Sequence, residues 1–251
     1  MAEAYIGTMG WSYKFWLGNF YPDNLPTNQF LAEYSKHFRT VEVDSTFYSI
    51  PNEAVVENWK QQTSPDFLFS LKFPRIITHQ KMLKDCEQET QFFIERASNL
   101  QGKLGPLLLQ FPPNFGPAQV NRLQDFLRTL PQEHRYAVEI RNKELLNDEL
   151  YSLLALNKVA LVLVDHPSLP MLETITADFT YIRWEGDRKK INPALGKVQA
   201  DRTNDNQKWT STISQLLTDK VNVFGYFSKY YSGHPPTDVT HLLKLLEKRT
   251  S

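Results

Sequence analysis

The chain has 251 residues, 41% of them hydrophobic and 22% charged, which excludes wholesale disorder and leaves room for a substantial core. Lys plus Arg and Asp plus Glu both total 28, so the formal net charge is zero and a generally basic nucleic-acid coat is excluded, though a local basic patch is not. The lone cysteine, Cys86, permits no intrachain disulfide and no cysteine-based zinc site.

Short β-rich runs recur along the chain, with helical patterns between them. The predicted strands are Tyr5–Thr8, Thr40–Ser45, Phe67–Phe73, Pro106–Phe111, Tyr136–Arg141, Val159–Asp165, Phe179–Glu185 and Val221–Ser228. Apolar stripes at helical spacing lie between or after them. One is Val120, Leu123, Phe126, Leu127 and Leu130; another is Leu146, Leu150, Leu153 and Leu154. Trp209, Ile213, Leu216 and Leu217 form a third, and Val239, Leu242, Leu243 and Leu246 a fourth. Strand–helix alternation implies parallel strands with helical crossovers, and eight repeats in this length fit a single (β/α)₈ TIM-type barrel over residues 1–251. An open doubly wound sheet is the alternative, but Gly7-Thr-Met-Gly10 is not a dinucleotide-binding turn. The start of the chain lacks a basic, apolar leader, and no stretch approaches the ~18 apolar residues of a membrane span. The expectation is a soluble, cytoplasmic protein with no membrane partner.

Side chains alternate along a strand, and in a barrel one face points inward. Valines and other apolar residues suit the helix side. By that parity Glu42 and Asp44 point in together, as do Glu139 with Arg141 and Arg183 with Glu185. Phe69, Leu71 and Phe73 then face out, leaving Ser70 and Lys72 inside. Gln110 ends the fourth strand and Asp165 the sixth, and both are expected inside or at the upper rim. Barrel enzymes carry their sites at strand C-terminal ends. The candidate catalytic residues are therefore Glu42, Glu139, Asp165 and His166. The candidate substrate-binding residues are Trp11, Tyr48, Lys72, Gln110, Arg141, Arg183 and Glu185. Six aromatics crowd into Trp11–Tyr21; most read as a satellite core under a long loop, with Trp11 and Tyr48 as pocket walls. His79 and His234 fall in loops on the same predicted face as His166. The loop Gly186–Asn206 carries Arg188, Lys189, Lys190, Lys197 and Arg202, and reads either as a solvated surface or as a clamp for an anion.

Several motifs resemble the YecE-like family, also called domain of unknown function family 72 (DUF72). They include Gly7-Thr8-x-Gly10-Trp11, Val41-Glu42-Val43-x-x-Thr46-Phe47-Tyr48-x-x-Pro51, Lys72-x-Pro74 and Gly105-Pro106-Leu107-Leu108-x-Gln110-x-Pro112-Pro113. Glu139-x-Arg141, Asp165-His166-Pro167 and Arg183-Trp184-x-Gly186-Asp187-Arg188 continue the likeness. The resemblance implies a TIM-like barrel and names no reaction. The chain departs from it at Ser228-Lys229, where relatives often have Asn-Asn, and at Glu185, where many have His.

Three functions are compatible with these residues. The first is an enzyme, an acid/base hydrolase or isomerase, acting on an anionic small molecule such as a sugar or nucleotide phosphate. Arginines grip such groups, and carboxylates or His166 move protons. Carboxylates also suit a divalent magnesium or manganese cofactor. The second is a nucleic-acid processing or binding protein, from aromatics beside a basic loop. The third is a non-catalytic ligand-binding module.

Overall fold

The computed structural model describes residues 2–250; Met1 and Ser251, the ends of the expected domain, lie outside them. Eight parallel strands close into a barrel in chain order, with the last strand pairing to both the seventh and the first. The strands are β1 (Ala4–Met9), β2 (Thr40–Val43), β3 (Leu68–Lys72), β4 (Leu104–Gln110), β5 (Tyr136–Glu139), β6 (Ala160–Asp165), β7 (Phe179–Trp184) and β8 (Asn222–Phe227). All eight coincide with strands read from the sequence.

The outer layer holds α1 (Phe30–Tyr34), α2 (Glu53–Gln61), α3 (Glu87–Ser98), α4 (Val120–Thr129), α5 (Asp148–Leu156), α6 (Thr203–Thr218) and α7 (Pro235–Thr250). Polar caps start two of them: Asn52 and Asn147 accept from the backbone N–H of Val55 and Leu150. The strict strand–helix alternation fails once among the described residues. Between β6 and β7 the chain runs without a helix. There Thr176 stands in for the missing packing, donating to Val159 O and accepting from Leu161 N.

Two apolar layers follow from the strand alternation. The outward side chains, including Phe69, Leu71, Val138, Leu161 and Ile182, merge with the helices into the main core. The inward set includes Met9, Leu108, Ala137, Val162, Val164, Phe179, Tyr181, Phe224 and Tyr226. The barrel lumen grows more polar toward the strand C-termini. At one level Tyr5 stacks on Phe224, with centroids 5.0 Å apart. At another, Tyr226 Oη lies 2.8 Å from Thr40 Oγ1 and 2.7 Å from Ser70 Oγ. Tyr181 Oη donates to Glu42 Oε2 at 2.7 Å, and this carboxylate begins the ionic layer.

Candidate active site at the barrel mouth

Arg183 is the hub of that layer. Its Nε and Nη2 bind the two Glu42 oxygens at 3.0 and 2.7 Å, and its Nη1 reaches Glu139 Oε2 at 2.7 Å. The same Nη1 lies 2.8 Å from Glu185 Oε1. Arg141 continues the lattice, donating from Nε to Glu139 Oε1 and from Nη2 to Glu185 Oε1 at 2.8 Å. Glu42, Glu139, Arg183 and Glu185 are all buried. Buried charges are costly unless paired and hydrogen-bonded; Glu42 is held by Tyr181 and Arg183, both of β7, and the other three have partners from at least two strands or strand ends.

Burial opposes ionisation of all three glutamates, and their neighbours split them apart. Glu42 is pushed up to about 7 by burial, against the pull of Arg183. Burial also works against the Glu139 carboxylate, but Arg141 and Arg183 together hold it below the usual range. For Glu185, burial is outweighed by Arg183, Arg141 and Arg188, which bring it down to about 2.

Above this floor lies a pocket of about 330 Å³. Its lining includes Tyr13, Asp44, Phe47, Tyr48, Lys72 and Gln110 from the first half of the barrel. Arg141, Arg183, Glu185, Arg188, Lys229 and Tyr230 complete it from the second half. Lys72 ends β3 and is 9% exposed. Its Nζ sits 4.3 Å from the centroid of the Phe47 ring and has no ion-pair partner among the described residues. Burial, then Arg183, lowers its ammonium from the ordinary lysine range. Thr46 Oγ1 donates to the Lys72 carbonyl at 2.7 Å, which fixes the strand end. Asp44 Oδ1 is buried without a hydrogen-bond partner, 3.8 Å from Arg183 Nη2. At the rim, Lys229 lies over the rings of Tyr13 and Tyr230, and Arg188 over Tyr230.

Residues 5–251 match the family described as "Protein of unknown function DUF72". The chain belongs to the DUF72 family. UPF0759 protein YecE of Escherichia coli K12 is 39% identical over 140 residues, which is 56% of this chain and 49% of YecE. The match thus spans about half the length of that relative. UPF0759 protein YunF of Bacillus subtilis is 26% identical over 97% of this chain and 94% of its own. The crystal structure of a DUF72 protein from Thermotoga maritima superposes with a TM-score of 0.84 at 27% identity, covering 98% of this chain and 99% of the other.

In this DUF72 protein the expected site residues divide into three groups. Tyr48, Lys72, Gln110, Arg141, Arg183 and Glu185 line the pocket. Glu42 and Glu139 lie beneath it, enclosed by Arg183, Tyr181 and Arg141. Three others sit elsewhere. Asp165 follows the inward Val164, so alternation turns it to the helix side, where its Oδ2 accepts from Trp209 Nε1 of α6 at 3.1 Å. His166 is outside the pocket lining; its Nδ1 accepts from Ser168 N at 3.1 Å, which puts the neutral ring's proton on Nε2. Trp11 packs edge-on against Trp59 of α2 at 5.8 Å and is not a pocket wall.

The basic loop also differs from its reading. Only Arg188 among its cations lines the pocket. Lys189, Lys190 and Lys197 are exposed, and Arg202 stacks on Tyr231 while donating to its carbonyl. The loop is pinned in place: Gln199 N donates to Ser232 O at 2.7 Å, and Asn19 Nδ2 to Gly196 O at 3.0 Å. Of the other histidines, His79 stacks edge-on with Phe47 at 4.9 Å, and His234 lies against Trp16 at 6.5 Å.

Tyr13, Phe47, Lys229 and Tyr230 were not singled out as site residues by the sequence. They occupy the segments after β1, β2 and β8, Phe47 at the end of a short 3₁₀ turn, where no periodicity in the sequence assigns a direction. Their one signal is position, since each closely follows a strand C-terminus. The expected magnesium or manganese finds no ready donor set. Among the described residues no group of three or more His, Cys, Asp and Glu side chains is arranged to hold a metal, and the buried glutamates are committed to arginines. No described helix is long and apolar enough to cross a membrane.

Proposed function

We propose that this protein is an enzyme that binds a small anionic molecule, such as a sugar or nucleotide phosphate, at the mouth of the barrel. The observation that carries this reading is Lys72: a buried cation lining the pocket with no carboxylate paired to it. A buried charge without a partner is costly, and a bound anion supplies the partner. Lys229 and Arg188 at the rim add positive charge, and the rings of Tyr13, Phe47, Tyr48 and Tyr230 suit the face of a sugar or base.

Arg183 has a different role from the one its position suggests. Its donors are spent on Glu42, Glu139 and Glu185, so it holds the floor rigid rather than gripping ligand. Proton transfer then falls to groups that reach the pocket, Lys72 and Asp44, with Glu42 and Glu139 as positioning residues. The pocket's size suits a small molecule rather than a nucleic-acid strand.

Calorimetric titration with inorganic phosphate tests the reading. Saturable binding that weakens at least tenfold in a folded Lys72→Met variant is the expected result. Absence of binding, together with tight single-stranded DNA binding that falls steeply with salt, would favour the nucleic-acid alternative.

A further inference from the structure

We infer that Lys72 is an amine nucleophile that condenses with the carbonyl carbon of an anionic aldehyde or ketone held at the barrel mouth. The inference rests on the anion-binding reading above and names the substrate class for that same site.

Four observations converge on it. Lys72 stands at the C-terminal end of β3, on backbone fixed by Thr46 and by the Phe73 N–H donating to Leu108 O at 2.8 Å. Its amine is enclosed, with Phe47 covering one side. No carboxylate holds it as an ammonium ion pair, unlike Arg141 and Arg183, which are both committed. A carboxylate lines the same pocket: Asp44, whose Oδ1 is buried without a hydrogen-bond partner, 3.8 Å from Arg183 Nη2.

Charged and titratable groups face Lys72 from every side. Asp44 and Glu42 come from the end of β2 and Glu139 from β5, and these favour the ammonium. Arg183 from β7 opposes it, and His79, in the segment after β3, feels the Lys72 charge. The Phe47 face also favours the ammonium. Burial and Arg183 outweigh these, so the neutral amine is more populated than on a surface lysine.

The reaction balances without an oxidant or reductant. The Nζ lone pair forms a bond to the carbonyl carbon, and the C=O π pair moves to oxygen. One Nζ proton passes to that oxygen through the Asp44 carboxylate, giving a carbinolamine. The second Nζ proton and the hydroxyl leave as water, and a C=N bond remains. The iminium form of that bond withdraws electrons from the adjacent carbon, which is the chemistry an isomerase or a carbon–carbon lyase requires.

Pyridoxal 5′-phosphate is a suitable probe, because it joins an aldehyde to a phosphate. The full chain is incubated with it and treated with borohydride, which adds hydride to C=N and fixes any adduct. Labelled lysines are then mapped by peptide mass spectrometry, and phosphate affinity is measured in parallel. The expected result is an adduct on Lys72 at least tenfold above any surface lysine, suppressed by excess inorganic phosphate. A Lys72→Arg variant that remains folded should lose that adduct. Labelling spread over surface lysines with Lys72 spared, in a protein that binds phosphate, would overturn the nucleophile and leave the anion site standing. Equal labelling of Lys72 by neutral pyridoxal and by its phosphate would retain the amine and retire the anion site. Neither label nor phosphate binding would remove both.

Discussion

Arg183 and Glu42 form a two-point pair across the barrel lumen, with Nε 3.0 Å from Oε2 and Nη2 2.7 Å from Oε1. Both side chains are sealed from solvent. The same guanidinium pairs with Glu139 and Glu185, so one arginine on β7 bridges carboxylates from β2, β5 and its own strand end, with Arg141 sharing the last two.

Arg183→Met should therefore be severe. It leaves buried carboxylates facing one another without their shared cation. Breaking a buried pair from one side costs about 3–5 kcal/mol, and three acids share this partner. Urea unfolding of the variant should show at least that loss. A change below about 1 kcal/mol would mean that the ionic floor is dispensable.

The pH profile of stability follows from how the acids are split. Glu42 lies at about 7 in the folded state against an ordinary 4.5, and Asp238, raised mainly by burial, is also at about 7. A folded value above the unfolded one means the native state holds the proton more tightly. That contribution is complete below about pH 4.5 and is lost as pH climbs through about 7. Glu185 has the opposite sign: at about 2, its contribution is present above 4.5 and is lost as pH falls through about 2. The Glu42 and Asp238 contributions thus decline between about pH 5 and 8, while His79, lowered to about 4 by burial and then by Lys72, and His166 and His234, also lowered by burial, contribute stability that grows as pH rises to about 6.5. In urea unfolding, Glu42→Gln should remove part of that decline, and adding Asp238→Asn should remove more. A difference between wild type and Glu42→Gln that stays constant across this window would contradict the assignment.

Strand parity carried much of this site. Val41 and Val43 turned Glu42 inward, Val138 and Ile140 did the same for Glu139, and Ile182 and Trp184 for Arg183. Parity misplaced Asp165 because β6 is apolar on both faces, and an unbroken apolar run does not show which residues face the lumen. The saturation of Arg183 was also hidden. Counting charges on inward positions shows that pairing occurs, but not which cation is left over. Trp11 was drawn into the site by its aromatic neighbours, yet those rings pack around the buried Trp16. Loop residues such as Phe47 and Tyr230 have no period to betray their direction.

Asp165→Asn separates position from chemistry. Asp165 faces Trp209 rather than the pocket, and burial already raises its carboxyl. The amide keeps an acceptor for the indole N–H. Phosphate affinity should change less than twofold, while Lys72→Met loses at least tenfold. A large loss of affinity in Asp165→Asn would place that residue in the site after all.

Gly186 joins the floor to the rim. It has φ +68°, and a Cβ there would lie 2.1 Å from Tyr230 O. Gly186→Ala must displace either Arg188 or the Tyr230 loop, since both the conformation and the space require glycine. A cost of about 1–3 kcal/mol is expected for the strained backbone. Thermal denaturation should register it, and phosphate affinity should fall with it. Unchanged stability and affinity would show that the two loops move independently of the site.

The barrel mouth is read here as an anion site built on Lys72, with Arg183 as its floor. Crystals soaked in phosphate test it most directly. An anion is expected within hydrogen-bond distance of Lys72 Nζ, beneath Lys229 and Arg188, with Arg183 still bound to Glu42, Glu139 and Glu185. A phosphate gripped by an Arg183 released from those glutamates, or a mouth left empty at saturating phosphate, would contradict it.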